Sequence, residues 1–252
     1  MATPTVLYNK EGPVAWVTLN RPHVLNAYNM AMRDELYTTL EAVRDDPEVR
    51  GVILAGAGER AFCAGADLTE FGAAPSQAIA RQVRWERDVW GLFLGMDKPM
   101  VAAVHGYVLG SGVEMALLCD LRIAAEDALF GLPETALGLI PAAGGTQTLP
   151  RCIGVAEALD LLLTGRRLSA AEAFGLGLVT QVMPRRQLHE QARLTLERII
   201  RTDPAALASA KRAVHEGLDM PLGEALALEE RLAGGLLHQG KRGSRRAGRP
   251  AP

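Results

Sequence analysis

The stretch from Met100 to Glu114 confines this chain to a narrow set of folds. Met100-Val-Ala-Ala-Val104 is a short apolar run that reads as a strand, His105-Gly106 turns it, and Gly110-Ser-Gly112 opens a new run with helical spacing. A similar order occurs upstream. Val14-Ala-Trp-Val-Thr-Leu19 reads as a strand, and Asn29 caps an amphipathic helix with apolar Met32, Leu36, Leu40 and Val43, which Asp46-Pro47 ends. Val49-Arg-Gly-Val-Ile-Leu54 is the next strand. It runs into a loop, Ala55 to Asp67, so rich in glycine and alanine that its backbone can approach a ligand closely. Helical periodicity then covers Ser76 to Leu94. Strand, strand and helix recurring in this order imply an α/β spiral of stacked sheets flanked by helices.

Beyond Leu121-Arg-Ile-Ala-Ala125 the apolar spacing is mainly helical, over Val155–Leu163, Ser169–Leu176, Gln187–Ile200, Pro204–Leu218 and Pro221–Leu237, with Gly165, Gly177 and Pro184 as punctuation. A chain of 252 residues, 48% of them apolar, can bury one sizeable core and carry a small C-terminal appendage. We therefore expect a core over residues 1–183, a helical region over 184–238 and a disordered basic tail over 239–252. The tail is glycine-rich and polar, and holds Lys241, Arg242, Arg245, Arg246 and Arg249.

A formal charge of −2 gives no reason to expect nucleic acid or an anionic membrane as a partner. Cys63, Cys119 and Cys152 form no CxxC pair and no ligand spacing with the histidines, so neither a disulfide framework nor a metal site is expected. The first residues lack a basic start and an apolar core, and no apolar stretch is long enough to span a bilayer. A reduced, cytoplasmic setting is the expectation.

Two carboxylates carry the chemistry. Glu114 falls in the first turn of the helix that Gly110 opens, where free N–H groups and the positive end of the dipole would stabilise an anionic oxygen. Glu134 follows Pro133 in a strand-to-helix sequence, in an apolar context without a nearby Lys or Arg. Taken alone, each has a simpler reading as a charge complementing a helix N-terminus. Gly110-Ser-Gly112 is an incomplete dinucleotide fingerprint, since Met115 stands where the third glycine belongs. Leu109 and Val113 replace the glycines of a nucleophile elbow around Ser111. His105 reads first as a satisfied strand-end histidine, and Cys63 as a small apolar filler. Trp85 and Trp90 suit an acyl pocket or helix packing alike, and Asp67 suits a substrate contact or a cap for the following turn.

What raises the two glutamates above their simpler readings is resemblance. Leu19-Asn-Arg-Pro22 with Asn26-Ala27, Ala61 to Leu68, Val104 to Asp120, Phe130 to Pro141, Gly144 to Gln147, and Leu163-Thr-Gly165 before Ala173 to Val179 together resemble the crotonase, or enoyl-CoA hydratase/isomerase, superfamily from about Val6 to about Leu232. The resemblance implies a crotonase-like spiral of repeated ββα units and a C-terminal helical region that lies over the site and joins subunits as a homotrimer or homohexamer. It implies an acyl-CoA substrate, with no cofactor beyond the coenzyme A of that substrate. In its terms the backbone N–H groups of Ala66 and Ser111 hold the thioester oxygen. Glu114 activates water and Glu134 protonates the alpha carbon. Val24, Ala64, Ala66, Asp67, Leu68 and Gly110 are the expected substrate and coenzyme A contacts.

The chain departs from that pattern at Ser111 and Ala142, where glycine is usual, at Val24, where a polar or basic residue often stands, and in its tail. Three readings follow from the resemblance. The first is water addition across the double bond of a trans-2-enoyl-CoA, the second isomerisation or a related dehydration on the same scaffold, and the third acyl-CoA binding without catalysis. Two retained carboxylates favour the first.

Overall fold

In a computed structural model, which describes residues 3–70, 82 and 85–247, with side chains up to 238, the strand runs of the sequence divide between two sheets. β1 (Val6–Glu11) and β2 (Val14–Leu19) make an antiparallel hairpin, and α1 (Met30–Asp45) follows. β3 (Gly51–Gly56) pairs in parallel with β2, while β4 (Ala61–Cys63) leaves for the second sheet before α2 (Val89–Leu94). β5 (Met100–Val104) returns beside β3, β6 (Tyr107–Leu109) pairs with β4, and α3 (Ser111–Leu118) completes that unit. β7 (Leu121–Ala125) joins β5, and β8 (Leu129–Gly131) joins β6.

After the β1–β2 hairpin, whose strands both lie in the larger sheet, each repeat lays one strand on the larger sheet and one on the smaller and then goes helical, which makes the chain a spiral. After α4 (Gly145–Ile153) and α5 (Val155–Thr164), β9 (Leu168–Ser169), α6 (Ala170–Gly175), β10 (Gln181–Met183) and α7 (Leu188–Ile199) close it. The final sheet orders are β1-β2-β3-β5-β7-β10 and β4-β6-β8-β9.

Burial explains the sequence patterns. Every residue of β3 and β5 is buried, so these parallel strands read as unbroken apolar runs rather than alternating ones. In α1 the Asn29 side chain accepts the Met32 N–H at 2.9 Å, and Met32, Leu36, Leu40 and Val43 are fully buried. Its other end is held by Lys98, whose ammonium donates to the carbonyls of Val43 (2.5 Å) and Asp46 (2.6 Å). Phe62, Phe93, Phe130 and Met115 fill the space between sheets and helices.

The chain divides into two compact units between Arg198 and Ile199. α7 therefore belongs with the spiral, into which Leu188, Ala192 and Leu196 are buried, although the sequence suggested a boundary after residue 183. The second unit is a helix pair, α8 (Pro204–Gly217) and α9 (Leu222–Ala247), packed on each other. The backbone of α9 runs helical to Ala247, into the segment expected to be a tail from Gln239. Propagating an established helix is easier than starting one, and Lys241, Arg242, Arg245, Arg246 and Ala247 are good helix formers. Residues 248–252 lie outside the described residues, as does most of the early part of the expected Ser76–Leu94 helix. Its described end starts afresh at Asp88, which caps α2 by accepting the Gly91 N–H at 3.0 Å. Among the described residues no helix is long and apolar enough to cross a membrane.

Candidate active site

The loop before α1 is locked to the loop after β4 by polar contacts that leave one amide over. Asn26, fully buried with φ +55°, donates to the carbonyls of Ala57 and Ala61 (2.9 Å each) and accepts the Arg21 N–H at 2.8 Å. Arg21 reaches Asp67 at 2.9 Å and the Ala27 carbonyl at 2.6 Å. Tyr28 donates to the Gly65 carbonyl, and the Asp67 N–H donates to the Tyr28 carbonyl, both at 2.8 Å. These two bonds form a parallel bridge centred on Ala66, whose own N–H must point away from Tyr28. Ser111 supplies a second available donor as the first residue of α3, whose opening N–H groups have no acceptor inside the helix.

Two glycines bring these donors together. Gly65 (φ +102°) and Gly110 (φ +50°, ψ −122°) abut so closely that a methyl group on Gly110 would lie 3.3 Å from the Gly65 Cα. The same methyl would sit 2.8 Å from Oε1 of Glu134, which places that carboxyl directly against the Gly110 turn. Glu134 is carried there by β8 and the 3-10 turn Pro133–Leu137.

The two carboxylates have different surroundings. Glu114 is 2% exposed, and its Oε1 accepts the N–H groups of Ala143 (2.8 Å) and Gly145 (2.9 Å), which fix its orientation. Gly145 must be glycine for this, since a Cβ there would lie 3.0 Å from Glu114 Oε1 and 2.9 Å from Pro141 Cβ. Oε2 of Glu134 is buried with no partner among the described residues. Burial, with the charge of Glu114 as a further cause, holds the Glu134 carboxyl above its ordinary 4.5 and favours the protonated acid. One cavity of about 410 Å³ is lined by Ala66, Ser111, Glu114 and Glu134, together with Tyr28, Arg33, Arg87, Trp90, Leu139, Ile140, Ala142 and Ala143. It therefore offers backbone donors for an oxygen, a fixed carboxylate and an acid raised by burial, which suits proton transfer next to a polarised carbonyl.

The other expected contacts lie outside that lining. Val24 and Leu68 are exposed in short turns, and Ala64 gives its N–H to the Leu25 carbonyl at 3.0 Å. The Asp67 carboxylate is taken up by Arg21 and by the N–H and hydroxyl of Thr69, the capping reading of that residue, and these partners hold it below the usual range. Cys63 is a filler in fact, fully buried with its thiol pushed up to about 12 by burial. His105 is 1% exposed, and burial depresses it to about 4 against the opposing effect of a backbone hydrogen bond at Gly58. Trp90 lines the cavity, stacked on Phe93 and tilted at 49° to the Tyr28 ring, whereas Trp85 is exposed. Among the described residues no three His, Cys, Asp or Glu side chains gather to hold a metal ion.

This fold and this pair of glutamates define a class. The family model described as enoyl-CoA hydratase/isomerase matches residues 9–247, and the chain belongs to that family. It is 42% identical to the "Probable enoyl-CoA hydratase" of Rhizobium meliloti over 235 residues, 92% of this chain and 89% of that one. A short-chain-enoyl-CoA hydratase of Clostridium acetobutylicum is 38% identical over 234 residues, 93% and 90% of the two chains. The crystal structure of an enoyl-CoA hydratase from Bacillus anthracis superposes with a TM-score of 0.88 at 38% identity, covering 98% of each chain.

Proposed function

We propose that this protein adds water reversibly across the double bond of a trans-2-enoyl-CoA. The observation that carries the proposal is the pairing, in one cavity, of an amide-clamped Glu114 with a buried Glu134 whose Oε2 has no described partner. The N–H groups of Ala66 and Ser111 hold the thioester oxygen as it gains enolate character. Glu114 orients water and takes its proton as the oxygen attacks the beta carbon, and Glu134 delivers a proton to the alpha carbon. Each oxyanion donor of this kind is worth about 3 kcal/mol of transition-state stabilisation. Two carboxylates facing one substrate favour hydration over isomerisation, in which a single carboxylate can move the proton.

The coenzyme runs along the loops holding Val24, Ala64, Asp67 and Leu68, outside the acyl cavity, with Gly110 joining those loops to the thioester. The reaction calls for no metal or further cofactor, because the amides polarise the carbonyl. We also assign the protein a cytoplasmic setting, supported by three cysteines that form no disulfide among the described residues, and a homotrimeric or homohexameric state.

The test is substitution with intact folding checked by circular dichroism. Glu114→Gln and Glu134→Gln should each lower kcat for crotonyl-CoA hydration by about a hundredfold or more. Near-normal hydration by both variants would remove the mechanism. Loss of isomerisation alone would transfer the site to that reaction.

A further inference from the structure

The acyl cavity holds two cations that the hydration chemistry does not use. Arg33, on α1, lines it with its side chain 19% exposed, and Arg87, just before α2, lines it from an exposed position. Among the described residues the Arg33 guanidinium meets one carboxylate oxygen, Oδ1 of its chain neighbour Asp34, at 2.9 Å and 3.0 Å. Those two contacts leave donors over from the five N–H groups of a guanidinium. The Arg87 guanidinium lies 5.4 Å from the centre of the Tyr37 ring and makes no ion pair among the described residues. Trp90, Leu139 and Ile140 give the wall between them an apolar surface along which an acyl chain can lie, with the two guanidiniums as the cations it meets.

Resting on the hydratase reading above, we propose that Arg33 and Arg87 select enoyl-CoA substrates whose acyl chain ends in a second carboxylate. The thioester end of such a substrate lies at Ala66 and Ser111, its double bond between Glu114 and Glu134, and its far carboxylate at the arginines. A planar guanidinium suits a carboxylate because it presents two parallel donors. Coenzyme phosphates share the anionic chemistry. The residues expected to follow the coenzyme, Val24, Ala64, Asp67 and Leu68, lie outside this cavity, so the acyl chain is the better source of the anion.

The experiment compares thioesters of equal chain length, glutaconyl-CoA against pentenoyl-CoA and didehydroadipoyl-CoA against hexenoyl-CoA. In the wild type kcat/KM should favour the diacid by about tenfold or more, the scale of a charge-assisted hydrogen bond. Arg33→Gln and Arg87→Gln should each cut that ratio several-fold, and added salt should narrow it further at exposed Arg87. Calorimetric binding of glutaryl-CoA against valeryl-CoA requires no turnover, and the same preference should appear there. A wild type that binds and hydrates the monoacids at least as well would overturn the proposal while leaving the hydratase reading intact. So would variants whose KM rises equally for every coenzyme A ester but not for the matching pantetheine thioesters, since the arginines would then serve the phosphates. Diacid-selective binding without hydration of any ester would sink the hydratase reading instead.

Discussion

Glu134 depends on a balance between burial and charge. With its carboxyl raised above 4.5 chiefly by burial, the proton it must deliver stays on to higher pH than it would on an exposed glutamate. Hydration kcat/KM should therefore fall as pH rises through that raised value, and Glu134→Gln should lose this dependence along with most of the rate. A wild-type profile with its basic fall absent would contradict the assignment of Glu134 as the acid. His105 makes a second residue-scale prediction, about stability. Its folded value of about 4 lies below the ordinary 6.5, so between these limits the unfolded chain binds a proton that the folded one does not. Stability from this group is present above 6.5 and is lost as pH falls toward 4. Arg185, Asp127 and His189 surround it electrostatically, with Arg185 and His189 adding to the depression and Asp127 opposing it. On moving from about pH 7 to about pH 5, urea unfolding should show the wild type losing about 2 kcal/mol more than His105→Phe. His189, also depressed by burial, and Glu134, raised by it, act in the same range and are shared by both proteins, so the difference from His105→Phe is the quantity to read. The carboxylates that arginine or lysine holds low act at still lower pH. Equal losses in both proteins would show that His105 is not buried in neutral form.

At the scale of elements, the junction of two loops decides whether the amides of Ala66 and Ser111 face one oxygen. Gly110 has a positive φ with ψ −122°, a conformation that glycine alone adopts without strain, and a Cβ there meets the Glu134 carboxylate. Gly110→Ala should therefore lower kcat about tenfold or more while shifting the unfolding midpoint only modestly, a split that turnover assays and thermal melts can read together. An alanine variant with full turnover would mean that the loops need no close approach. The sequence revealed elements in proportion to their length. α1, α5, α8, β3 and β5 carry long or unbroken apolar signals and fall where the spacing puts them. β4, β6, β8 and β9 have three residues or fewer, and each is a strand because its neighbour supplies the pairing rather than because of its own composition. α4 is hidden by the Gly144-Gly145 start and by Pro150 inside it. Within the site the two glutamates were legible through the motifs around them. The direction of the Ala66 amide was not, because a bridge to distant Tyr28 sets it. Nor were Arg33 and Arg87, which reach one cavity from separate segments with no shared linear pattern.

At the scale of the whole molecule, the apolar residues left on the surface are too regular to be scattered chance exposures. On α5, Val155, Leu159 and Leu163 recur every four residues along one face and are 66%, 48% and 72% exposed. Phe174 of α6 is 55% exposed. The helix pair of the second unit has the same character, with Leu218, Leu222 and Leu226 exposed and no residue of α8 fully buried. Fully burying a side chain of this size contributes about 1.5–3 kcal/mol, so a stripe of three can make a material contribution to association. The proposed homo-oligomer gives these faces something to cover. In that case Leu159→Glu with Leu163→Glu should place charges in a subunit contact and reduce the mass measured by light scattering toward that of a single chain. The unfolding midpoint of the wild type should rise with protein concentration, because association stabilises only the folded form, and this dependence should vanish in the double variant. Circular dichroism of that variant should stay close to wild type, since both leucines are already exposed in the single chain. A wild type that is monomeric at micromolar concentration, or a double variant that keeps its full assembly, would show that the α5 face does not join subunits.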